Sequence, residues 1–375
     1  MEKKMKIGIR CLLWTAAFSS VLIFLGCKGN LAPLDSEKPL PPMENPDITG
    51  VNFDYYLNAE AEELVRKGIR YHDGGNYEEA IKYYNQAMEL SPNHPVILYE
   101  MGFSYISIGN YGKALEAADK GIAEAKARGD VEVIPSLLDL KGSALDNLGR
   151  SGEAINVYLQ ALNEYGVSNT FLYYNLAVSY YRAEKRDEAV KALSRGLLIN
   201  PNHASSNYLL GKICMEDGKK TQAFYALCYF LLLEPNTERS IQSYNTILNM
   251  LKPEERIGFR DNGAFTASDM VISVAFTMDE ANYRLSDAEK TKAKLKFIFT
   301  SLDDQKNTGK IKRSDGDELW WDFYSPFFYR IAVSDYFNTY CRYIGLSLDP
   351  QAESWITNGR DEIEGFFEWL NTILK

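Results

Sequence analysis

A 34-residue spacing organises the middle of this chain of 375 residues. Leu64, Gly68, Tyr71, Ala80, Tyr84, Ala87 and Pro92 are followed 34 residues later by Leu98, Gly102, Tyr105, Ala114, Ala118 and Gly121. After a six-residue insertion around 129–134 the pattern returns at Leu138, Gly142, Leu145, Gly149, Ala154, Tyr158 and Ala161. It resumes one residue later at Tyr173, Ala177, Tyr180, Ala189, Leu193, Gly196 and Pro201, and a fifth time at Asn207, Gly211, Cys214, Gly218, Ala223, Leu227, Phe230 and Pro235. Within each copy the apolar residues recur at three and four, so each copy is a pair of short amphipathic helices. Gly75, Gly109, Gly149 and Gly218 close the first helix, and Glu184-Lys185 stands there in the fourth copy. Small residues at 68, 102, 142, 177 and 211, with Ala at 80, 114, 154, 189 and 223, permit close helix approach. One such pair cannot bury its own apolar face, so the copies must stack.

On these residues the array resembles tetratricopeptide repeats, with copies at 61–94, 95–128, 135–168, 170–203 and 204–237. The resemblance implies an all-α protein: a superhelical solenoid of helix pairs over 59–252, finished by a helix near Arg239–Leu251, and then a helical C-terminal domain over 253–375. It also implies a concave groove lined by the first helix of each pair. At the matching positions stand Val96, Tyr99, Phe103 and Ile106; Asp139, Ser143, Asp146 and Asn147; Phe171, Tyr174, Val178, Tyr181 and Arg182; and Tyr208, Lys212 and Met215. Tyr99, Phe103, Phe171, Tyr174, Tyr181, Arg182, Tyr208 and Lys212 are the expected partner-binding residues. With packing assigned to Tyr71, Tyr84, Tyr105 and Tyr180, the groove aromatics are expected to face outward and to anchor a protein or peptide. Two occupants remain open, a partner segment and the chain's own C-terminal region. The clamp that some family members use for a terminal carboxylate needs Lys and Asn where Val65 and Ile69 stand, which argues against a free-carboxylate ligand.

The first 26 residues read as an export signal. Lys3, Lys4, Lys6 and Arg10 precede an apolar stretch from Cys11 to Leu25 that is short for a membrane span. Its end, Phe24-Leu25-Gly26-Cys27, resembles a relaxed bacterial lipobox of the spirochaetal kind, which makes Cys27 the expected lipidation site. Residues 27–58 carry Pro33, Pro39, Pro41, Pro42 and Pro46 and form a tether rather than a core. The implied location is a bacterial cell envelope, lipid-anchored, with Lys28 favouring the outer membrane. Loss of the signal removes Glu2 and four basic residues and takes the net charge from −10 to −13. That balance excludes a nucleic-acid binder, which needs a basic footprint.

Catalytic and metal motifs are missing from the sequence. Three His and five Cys show neither zinc spacing nor a disulfide framework, although Cys214 and Cys228 sit on the paired helices of the fifth copy, where facing positions can meet and admit a disulfide. Asp303–Asp315 has the outline of a calcium loop, but Lys306 and Thr308 occupy ligand positions. Neither a cofactor nor a metal is expected. In the last 120 residues Ser286/Glu289 and Thr266/Asp269 read as capping boxes, and Trp320, Trp321, Phe323, Tyr324, Phe327 and Phe328 as a dense core. The function expected is a non-catalytic protein-interaction scaffold. Its rivals are a surface adhesin and an enzyme built on Asp315, Asp317, Glu318 and Asp322.

Overall fold

The computed structural model describes residues 57–166, 169–252, 271–272, 274–275, 285–307 and 317–374. The export signal, Cys27, the tether up to residue 56, the box at Thr266/Asp269 and Asp315 lie outside the described residues. Among those described there is no strand, and consecutive helices pair as the 34-residue period requires. The pairs are α1 (Ala59–Asp73) with α2 (Tyr77–Leu90), α3 (Pro95–Ser107) with α4 (Tyr111–Arg128), α5 (Ile134–Asn147) with α6 (Ser151–Glu164), α7 (Thr170–Arg182) with α8 (Arg186–Ile199), and α9 (Ala204–Glu216) with α10 (Lys220–Leu233). α11 (Glu238–Met250) follows and packs on α10, the closing helix that the sequence asks for. The protein is an all-α solenoid of helix pairs with further helices after it.

All five pairs turn in the same way. Gly75, Gly109, Gly149 and Gly218 have φ of 75°, 73°, 76° and 71°, and the residue after each donates its N–H to a carbonyl in the last turn of the first helix. In the fourth pair Glu184 does the same at φ 61°, with Lys185 bonding the Tyr180 carbonyl at 2.9 Å. A left-handed conformation is costly for a residue with a Cβ. Glu184→Gly is therefore expected to stabilise the protein by about 1 kcal/mol, read as a higher denaturant midpoint at unchanged slope.

The described helices form two compact units, one ending at Pro201 and the other starting at Asn202. In the first, small residues admit large ones. A Cβ added at Gly68 would lie 2.4 Å from the Tyr84 ring, and one at Gly142 would lie 2.5 Å from the Tyr158 ring. Both tyrosines are fully buried. Tyr71, expected in the core, is instead 37% exposed and stacks on Tyr83 at 5.1 Å. It lies in the last turn of α1, in the first of the described pairs.

The second unit joins the fifth pair to the C-terminal helices, with the compact division at 201/202. Its cause lies in α10, which buries every residue from Ala223 to Leu232 and has no polar face to give to water. Around it pack α12 (Asp287–Asn307), a wide π-helical turn (Leu319–Tyr324), α13 (Ser325–Val333) and α14 (Phe337–Ile344). Tyr225 stacks on Phe328 at 5.5 Å, Phe328 on Phe299 at 4.6 Å, and Tyr229 meets Phe327 at 5.0 Å. Tyr324 donates its hydroxyl to Asn207, and the buried Lys294 ammonium donates to the Leu251 carbonyl at 2.7 Å. The aromatic run of 317–328 is thus a core. α15 (Ala352–Asn358) and α16 (Arg360–Ile373) complete the unit, with Phe366, Phe367 and Leu370 turned inward.

Candidate functional site

In the first unit α3, α5 and α7 are the first helices of successive pairs, and they pack side by side. That packing decides which groove positions stay open. Tyr99, Phe103 and Tyr174 are buried, at 2%, 8% and 0% exposure, and do not face outward as expected. The reason is the lateral contact between neighbouring first helices, which takes up the positions counted as surplus. Tyr99 meets Phe103 edge-to-face at 4.8 Å and lies beside Asp139 of α5. Phe171 and Tyr181 are half-buried, and Arg182, at the end of α7, ion-pairs with Asp146 of α5. Tyr208 and Lys212 belong to the second unit, on α9. There Tyr208 contacts Phe230 at 5.2 Å, and Arg239 lies over its ring at 5.3 Å.

Polar residues run between α5 and α7 in three rungs, each 36 residues apart in sequence. Asn175 donates its amide to Asp139 at 2.9 Å and Arg182 donates to Asp146, while Ser143 and Ser179 occupy the matching middle positions without bonding each other. Ser143 turns to the Tyr158 hydroxyl at 3.2 Å. The rungs fall at i, i+4 and i+7 on each helix, so each helix presents one polar stripe to the other. Glu100 extends the acidic character onto α3, and both it and Asp139 lie close enough to act on the Tyr99 phenol.

Burial governs the charge state of this stripe. It raises the Asp139 carboxyl to about 7, with the Asn175 amide pulling the other way. Glu100 is raised to about 8, first by burial and then by the Asp73 charge. Tyr99 and Tyr158 are pushed well above the ordinary phenol range by the same desolvation, with Asp139 adding to it. Glu100, Asn175 and Ser179 escaped the sequence reading. The signal was there for Glu100, a lone acid inside Val96–Phe103, whereas the 36-residue offset of the rungs is hidden by a 34-residue period.

Other candidate chemistry resolves into packing. Cys214, Cys228 and Cys341 are buried free thiols, so the disulfide that Cys214 and Cys228 admitted is not formed. Burial pushes Cys214 and Cys341 up to about 12, far from nucleophilic use at neutral pH. Asp303 accepts from Ser325 at 3.0 Å and from Asn307 at 2.8 Å, which gives it a structural occupation inside the former calcium-loop outline. Among the described residues no three His, Cys, Asp or Glu side chains gather as a metal site, and no helix is long and apolar enough to cross a membrane.

Comparison with known proteins places the repeats. Models described as "TPR repeat" and "Tetratricopeptide repeat" match residues 68–109, 135–165 and 170–203. Cilia- and flagella-associated protein 70 of Homo sapiens is 23% identical over 213 residues, which is 56% of this chain and 17% of that protein. Hsp70-Hsp90 organizing protein 3 of Arabidopsis thaliana is 25% identical over 157 residues, 34% of this chain and 28% of that protein. The chain thus spans less than a third of the length of either relative. Among solved structures, Pseudomonas aeruginosa pilF is 16% identical and covers 60% of this chain and 93% of its own at a TM-score of 0.46. A thermophilic TPR protein of Thermus thermophilus is 17% identical and covers 50% of this chain and 99% of its own at a TM-score of 0.43. The period read from the sequence and the helix pairs built on it are tetratricopeptide repeats.

Proposed function

We propose that this protein is a lipid-anchored scaffold of a bacterial cell envelope, which holds a segment of a partner protein on the groove face of its repeats. One observation carries the binding half of this reading. The first helix of the fourth pair presents Phe171, Tyr181 and Arg182 partly exposed beside the stripe of polar side chains it shares with the first helix of the third pair, a mixture that suits a peptide better than a smooth apolar face does. The anchor rests on the basic and apolar residues before Cys27, and the proline-rich tether gives the repeats reach from the bilayer. No catalytic step is assigned.

The test uses the full chain in a bacterial host that processes lipoproteins. Wild-type protein is expected in the membrane fraction, labelled by palmitate, while Cys27→Ser is expected unlabelled and soluble. Phe171→Ala with Tyr181→Ala should keep the circular dichroism of the wild type and recover several-fold less partner in a pull-down. Equal recovery from this variant would remove the groove from the proposal. Palmitate labelling that survives in Cys27→Ser would remove the anchor.

A further inference from the structure

We propose that Asp139, held by Asn175, reads a lysine or arginine side chain of the partner segment. The inference rests on the groove reading above and adds the chemistry of what is read.

In the first unit Glu100 Oε1, Asp139 Oδ2, Asp146 Oδ1, Asn175 Oδ1 and Ser179 Oγ are buried oxygens to which no group among the described residues donates. Their residues are at least nine-tenths buried, with Asn175 and Ser179 at 0% exposure. With the carboxyls ionised, four of the five atoms are acceptors only. Buried acceptors are nearly always matched by a donor, and a group of them on facing helices asks for the same thing at each point. Because Asn175 commits its amide nitrogen to Asp139, its carbonyl oxygen is held beside the same carboxylate. Ser179 stands one turn further along α7.

Charge sharpens the match. The Arg182 guanidinium already serves Asp146, and Lys141 is turned to Asp119 at 2.6 Å. Asp139 therefore meets an amide and the Tyr99 and Tyr158 phenols, with the Asp146–Arg182 pair two turns away. Glu100 in turn faces Tyr84, Tyr99 and Asp73. Among the described residues neither acid ion-pairs with a cation. A side chain that brings both positive charge and several N–H donors satisfies the carboxylate and the neighbouring oxygens together, which a neutral or acidic residue cannot do. The net charge of −10 gives the same preference at long range. Since Asp139 binds its proton more tightly than a solvated carboxylate, a cation entering beside it must displace that proton. Binding should then strengthen as pH rises.

The experiment selects peptides from a random display library on the immobilised full chain, with the same selection on Asp139→Asn and on Phe171→Ala with Tyr181→Ala. Asp139→Asn keeps the shape and the acceptor that Asn175 uses, and its fold is checked by circular dichroism. The expected result is enrichment of Lys or Arg at one peptide position on the wild type. A peptide so chosen should bind about tenfold or more weakly to Asp139→Asn, and more tightly to wild type at about pH 8 than at about pH 5. Peptides without a basic preference, or indifferent to Asp139→Asn, overturn the acidic subsite while their loss on Phe171→Ala with Tyr181→Ala keeps the groove. A selection that returns nothing, or peptides indifferent to both variants, overturns both readings and makes this face an internal packing surface.

Discussion

Phe328→Ala is expected to cost about 3–5 kcal/mol of stability in the unit that begins at Asn202. The ring is fully buried and touches Tyr225, Tyr229, Phe299, Tyr324, Phe327 and Tyr340 at centroid separations between 4.6 and 6.3 Å. Removing it costs the transfer energy of a phenyl group, and the surrounding rings cannot collapse into the space because they are fixed by one another and by hydrogen bonds. Tyr324 is tied to Asn207, and Ser325 to Asp303 at 3.0 Å. A well-packed cluster of this kind incurs the full cavity cost. Tyr71→Ala is the comparison: its ring is 37% exposed and should change stability by about 0.5 kcal/mol or less. Urea denaturation followed by near-ultraviolet circular dichroism separates the two. An equal midpoint for both variants would show that the aromatic cluster is not the core of this unit.

The contrast between these two residues also marks how far the sequence could be read. Helix pairing followed from spacing alone, because glycines that must adopt positive φ and small residues that must admit Tyr84 or Tyr158 leave a periodic trace. The compact division at 201/202 left no such trace. It arises because α10 is apolar on every face, and a helix of that composition is read equally well as a repeat helix or as the centre of another core. The groove was half legible. Positions borrowed from the repeat family put Tyr99, Phe103 and Tyr174 on a surface, but lateral packing of α3, α5 and α7 buries them. Aromatic count says nothing about lateral contact. What did survive is the polar stripe of the third pair, Asp139, Ser143 and Asp146, whose partners Asn175 and Arg182 are fixed by geometry between helices and not by the period.

Raising the pH from about 5 to about 8 is expected to weaken the first unit by a few kcal/mol, and Asp139→Asn with Glu100→Gln to remove most of that slope. An unfolded carboxyl releases its proton near about pH 4, whereas in the folded chain Asp139 holds its proton to about 7 and Glu100 to about 8. Between those limits the folded state binds more protons than the unfolded state, so stability falls with rising pH, by about 1.4 kcal/mol for each pH unit and group at most. Below the unfolded value both states are protonated and the contribution is complete. Above about 8 both are ionised, the loss is complete and the curve flattens. Carboxylates of the opposite kind, such as Glu153 held down by the Arg150 guanidinium, act at the acid end and do not mask this window. The measurement is the denaturant midpoint across pH for the wild type and the double variant, followed by far-ultraviolet circular dichroism. A wild-type curve that is flat or rises between about 5 and 8, or a double variant that keeps the wild-type slope, would mean that these acids do not carry protons in the fold. The same outcome would withdraw the proton displacement expected when a basic side chain meets Asp139, since both effects draw on one buried carboxyl.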